Sequence, residues 1–137
     1  MSPPARFDEI DLAAEAGRLA DLFAGLSQAL DEFRLDDHDP PLTAEERRII
    51  KERAQALESL AHYFTSASIG AILQSFQPNL ANIKQITVDA KDQVALLEDV
   101  AKVISIASSA VSLGTAIASG DPAAIVAAAG GLVQSIG

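Results

Sequence analysis

Side chains suited to chemistry are few in this chain. Asp36, Asp37, His38 and Asp39 follow one another. Carboxylate oxygens and an imidazole nitrogen gathered in one loop could hold a divalent cation, and an enzyme with a loop metal site at His38 is the reading that would follow. The expectation is instead a solvated polar linker. Glu58 and His62 lie four apart, a spacing that shares one helix face. They lack the companion Glu-x-x-His motif with which a di-metal bundle completes its ligand set, so they read as a surface pair.

Other chemistries lack their parts. There is no cysteine, hence no disulfide and no thiolate metal site, and two histidines do not furnish an ordinary zinc centre. Gly130 and Gly131 sit in an Ala-rich stretch with no lysine, unlike a phosphate-binding loop. Neither histidine stands in a context that suggests a partner for a nucleophilic serine. Arg47, Arg48, Lys51 and Arg53 are interleaved with Glu45, Glu46 and Glu52, the mixed signs of a solvated helix face. With 19 acidic against 10 basic side chains and a net charge of −9, attraction to phosphate backbones is disfavoured. No catalytic residue, cofactor, metal or nucleic-acid partner is expected.

The elements that carry these residues read as helices, because apolar side chains recur at three and four rather than at two. A chain of 137 residues, 49% of them hydrophobic, suits one compact domain. Leu12, Ala16, Leu19, Phe23, Leu26, Leu30 and Phe33 form one seam of a first helix, over 7–34. Pro40 and Pro41 stop it within a loop over 35–43. Thr43 and Glu46 make a capping box, so a second helix begins at Ala44 and runs to 76, with a kink or break expected at the weak TSASIG stretch, 65–70. Ile50, Ala54, Leu57, Ala61 and Phe64 are its seam, widened by Ile49, Leu60 and Ile72. Tyr63 reads as core with its hydroxyl at the rim, and Gln77 and Pro78 end the element. Ile83, Ile86, Ala90, Val94, Leu97, Ala101, Ile104, Ser108 and Val111 then predict one long helix over 79–119. Gly120, Asp121 and Pro122 make a turn into a short last helix over 122–136. The fold class expected is all-α: an antiparallel bundle of about four long helices with coiled-coil-like seams. Leu19, Phe23, Leu26, Leu57, Phe64, Val94 and Leu97 are expected to bury one another.

The C-terminal quarter is unusual. From Val103 to Gly137 the single formally charged side chain is Asp121, where the whole-chain rate predicts roughly seven. Small residues fall in register there: Ser108, Ser112, Ala116 and Gly120 repeat every four, with Ala110, Gly114 and Ala118 alongside, and so do Ala123, Ala127, Gly131 and Ser135. Such rows let two backbones approach closely, which suggests a tight helical hairpin. Its helices, Val103–Ser119 and Ala123–Ile136, fall short of the roughly twenty residues of a routine membrane crossing. A partly inserted hairpin, an oligomer or partner interface, and plain internal packing are the three readings. The layout over Asn79–Gly137 resembles the body-and-head plan of α-helical pore-forming toxins and, less closely, coiled-coil scaffolds. No family motif is matched residue by residue, so no functional residue is carried over from that resemblance.

The expected function is therefore a non-enzymatic helical protein that self-assembles, or engages a helical partner or a membrane, through its C-terminal hairpin. Ser108, Val111, Ser112, Gly114, Ala116, Gly120, Ala123, Ala127, Gly131 and Ser135 are its candidate interface residues. The alternative is a soluble adaptor whose acidic body binds a protein partner and whose last helices are only core. The opening MSPPARFDEIDL lacks the basic start and apolar run of a secretory signal, so cytoplasmic residence is expected, with membrane association or leaderless export as variants.

Overall fold

The computed structural model describes residues 9–38, 40–65, 77–96 and 99–137. Among them the chain is all helix without strands, in five helices packed together. These are α1 (Glu9–Leu35), α2 (Ala44–Phe64), α3 (Gln77–Leu96), α4 (Val100–Ser119) and α5 (Pro122–Ile136). Helix α1 packs on α2 and α3; α4 packs on α2, α3 and α5; and α5 also touches α3.

The seams of the first two helices lie where the spacing places them. Ala16, Leu19, Phe23, Leu26, Leu30 and Phe33 of α1 are buried, and so are Ile50, Ala54, Leu57, Ala61 and Phe64 of α2. Phe23 meets Phe64 edge to face, with ring centroids 5.1 Å apart, the geometry that aromatic quadrupoles prefer. Ser27 also lies in this interface, and its hydroxyl donates to the Ala54 carbonyl at 2.6 Å. That bond satisfies a polar group that burial would otherwise penalise.

Helix starts follow their caps. The Glu46 amide donates to the Thr43 hydroxyl at 3.1 Å and the Thr43 amide to the Glu46 carboxylate at 2.8 Å, which completes the capping box at the head of α2. Helix α2 ends at Phe64 with Thr65 as its C-cap, at the start of the weak TSASIG stretch; 66–76, with the rest of that stretch and Ile72, lie outside the described residues. Pro78 sits in the first turn of α3, where its missing amide has no intrahelical partner to lose.

The predicted single helix over 79–119 is two helices. Asp99 is the N-cap of α4, its carboxylate accepting from the amides of Ala101 and Lys102 at 3.1 and 3.4 Å. This new start resets the helical phase. Ile83, Ala90 and Val94 are buried before the break, but past it Ala101 is exposed and Ile104, Ser108 and Val111 are half-buried. The core face of α4 is instead Val103, Ile106, Ala107, Ala110, Leu113, Gly114 and Ile117. Leu97 lies outside the described residues.

Leu26 is fully buried on the α1 seam. Its replacement by alanine is expected to cost about 2–5 kcal/mol, the range of large-to-small core changes. Denaturant melts of Leu26→Ala check this, and a near-neutral result would mean that the seam faces water.

Candidate interface at the C-terminal hairpin

The turn between α4 and α5 is built by three consecutive residues. Gly120 has φ 75°, and its amide donates to the carbonyls of Ala116 and Ile117. This is the left-handed helix ending that glycine makes without a Cβ penalty. Asp121 accepts from the Ala123 amide at 3.1 Å as N-cap, and Pro122 opens the next helix. Helix α5 folds back along α4, so that Ser135 Oγ lies 2.6 Å from Ser109 Oγ and 3.3 Å from Ser105 Oγ. Sequence reading missed this hydroxyl cluster; the spacing of four between Ser105 and Ser109 is its only trace.

The two small-residue rows do not face each other. The buried side of α5 is Ile125 and Leu132, flanked by Ala124, Ala128, Ala129 and Ile136. Ala123 and Ala127 are exposed, and nothing lies within 4 Å of where a Cβ on Gly131 would stand. Of that row, Ser135 touches α4. On α4, Ala116 is buried, Ser112 is exposed, and Ser108 accepts a 3.0 Å hydrogen bond from Arg53 Nε of α2.

Close approach occurs at Gly114, and toward the other side of the fold. A Cβ there would stand 2.6 Å from Leu60 Cδ1 and 2.7 Å from Phe23 Cε2. The glycine thus seats α4 on α1 and α2, not on α5.

Apart from Asp121 in the turn and the half-buried Lys102 near the start of α4, the outer surface of the hairpin is uncharged. Along α5 it shows Ala123, Val126, Ala127, Gly130, Val133 and Gln134, with Val126 60% and Val133 51% exposed. Along α4 it shows Ser105, Ser112, Thr115 and Ser119. Helix α4 has 20 residues, longer than the seventeen read from Val103, and a mean hydropathy of 1.6 over its most apolar window. Among the described residues it alone is long and apolar enough to cross a membrane. Much of that apolarity lies on its buried side, with 44% of that window inside the fold.

The other candidates are engaged elsewhere. A ring nitrogen of His38, Nε2, bonds to the Phe33 carbonyl, and its ring lies 4.4 Å from that of Phe33. Asp39 lies outside the described residues, and among the described ones no group of three His, Cys, Asp or Glu could hold a metal. Glu58 and His62 are exposed, and Tyr63 is exposed at the rim beside Phe64. Arg48 donates to Glu45 and Glu52 one turn away on either side. Those bonds hold the Glu45 carboxyl below its usual range and raise the Arg48 guanidinium further. The Glu45 contribution is therefore present above the ordinary carboxylate range and is lost as pH falls through the depressed value. No known protein family, curated protein or solved structure matches the chain.

Two glycine substitutions separate packed from open backbone. Gly114→Ala overpacks against Phe23 and Leu60 at about 1–3 kcal/mol, against roughly 1 kcal/mol regained in helix propensity. A net loss is expected. Gly131→Ala meets no neighbour and should gain about 0.5–1 kcal/mol. Thermal melts of both variants test the contrast, and equal gains would place Gly114 in open space.

Proposed function

We propose that this chain is a non-enzymatic helical protein that self-assembles or docks on a helical partner through the outer face of its C-terminal hairpin. The observation that carries the reading is the exposed, uncharged face of α5, with Val126 and Val133 standing into solvent. Soluble helices ordinarily place charge on their outer side, and a row of valines, alanines and glycine suits close contact with another helix. Neighbouring helices in this reading run antiparallel, with the charged α1 and α2 as the body that presents the hairpin.

Membrane engagement is the second reading, favoured by the length and hydropathy of α4. It asks more of the fold. Inserting α4 would pull Leu113 and Ile117 from the core and uncover Phe23 and Leu60, whereas docking through α5 moves nothing. At 15 residues, α5 spans about 22 Å, short of the roughly 30 Å hydrocarbon core.

Val126→Lys combined with Val133→Lys is expected to abolish self-association or partner docking while shifting stability by no more than about 0.5 kcal/mol, as surface changes do. Sedimentation velocity and thermal melts of the two chains measure both quantities. Gly131→Leu, which adds bulk on the neighbouring turn, should act in the same direction. A wild-type chain that is monomeric, and that permeabilises liposomes unless α4 is mutated, would replace the docking reading with the membrane one.

A further inference from the structure

A second surface lies apart from the hairpin face. Where α1 ends at Leu35 and α3 ends at Leu96, a cleft of about 920 Å³ opens between those ends, residues 36–38, Pro40, Pro41 and the start of α4. This volume is at the upper end of the range for ligand sites. Phe33 and Val94, both buried, form part of its floor. Leu35 and Leu96 line it as well, at 74% and 79% exposure. They are the two most exposed large hydrophobic side chains among the described residues, and they stand at the same opening.

The electrostatics of the cleft have one sign. Among the described residues Glu32, Asp36, Asp37 and Glu46 line it, together with His38 and no lysine or arginine. The C-termini of α1 and α3 add the negative ends of two helix dipoles. The N-termini of α2 and α4 are already answered by their own caps, Thr43 with Glu46 and Asp99. An apolar floor under an acidic rim complements a segment that carries apolar anchors beside fixed positive charge.

We propose that this cleft is a docking site for a short basic segment of a protein partner, whose apolar side chains cover Leu35 and Leu96 while its lysines or arginines meet Glu32, Asp36 and Asp37. The site stands independently of the α5 face. Long-range attraction to the chain's net charge of −9 would bring such a segment close. The paired leucines are what separate seated binding from that general attraction.

The test uses the whole chain and a fluorescein-labelled octapeptide of alternating lysine and leucine, followed by anisotropy. Saturable binding is expected, weakened about tenfold by Asp36→Lys with Asp37→Lys, and weakened again at about 0.5 M salt, where exposed charges are screened. Leu96→Ser should also weaken it severalfold. Glu58→Lys with Asp92→Lys, an equal charge change at exposed positions outside the cleft, should leave it within about twofold. An octapeptide of alternating lysine and serine, equal in charge, should bind about tenfold less well, because it offers nothing to cover the leucines. The proposal is overturned if the wild-type chain shows no saturable binding, if the distant charge reversal weakens binding as much as the cleft reversal, or if the lysine–serine peptide binds equally. It is overturned too if the cleft is filled by a second copy, seen as a dimer that Leu96→Ser dissolves.

Discussion

Three helices meet on the ring of Phe23. Its edge-to-face contact with Phe64 fixes α1 on α2, and the missing side chain of Gly114 lets α4 descend onto the same ring and onto Leu60. Packing of this density tolerates neither a cavity nor an added methyl without cost. The height at which α4 sits is therefore set here, and α5, tied to α4 by the Gly120–Asp121–Pro122 turn and the Ser109–Ser135 contact, inherits its position. The exposed face of α5 is thus a consequence of where Phe23 and Gly114 touch.

The sequence made the first half of the fold legible and the second half ambiguous, for a physical reason. Along α1 and α2 the seams carry most of the large apolar side chains and every charged side chain falls off them, so only one helical phase buries oil and exposes charge. Leu19, Phe23, Leu57 and Phe64 could be placed on that basis. After Val103 charge disappears, and several phases of the helix bury apolar atoms about equally well. The row Ala101, Ile104, Ser108 and Val111 was as acceptable by spacing as the true row Val103, Ile106, Ala110 and Leu113. The deciding signal was Asp99, an N-cap residue standing just before the uncharged run, which a three-four rhythm steps over unseen.

The same ambiguity governed the small-residue rows. Alanine and glycine every four residues permit close approach but do not enforce it. In α5 the large side chains Ile125 and Leu132 gain more from burial than Ala123, Ala127 and Gly131 do, and they turn toward the core. The row is left outside by competition. Its counterpart at Gly114 is a close approach because two large neighbours, Phe23 and Leu60, need the space.

Serine along the hairpin has a further effect on what this surface can accept. Ser112, Ser119 and Ser135 return hydrogen bonds to the carbonyls of Ser108, Ala116 and Gly131 on their own helices. A hydroxyl satisfied in this way loses less on leaving water than one that relies on solvent, because its donor keeps a partner. Helix α5 itself carries no charged side chain, so burying its exposed face removes apolar surface from water without stranding a charge. Burying the rim of the cleft does the opposite, since Glu32, Asp36 and Asp37 lose hydration and regain it only from an opposite charge. The two surfaces would thus make contrary demands on any occupant: burying the face of α5 leaves a charge brought against it without an opposite partner, and burying the cleft rim needs one.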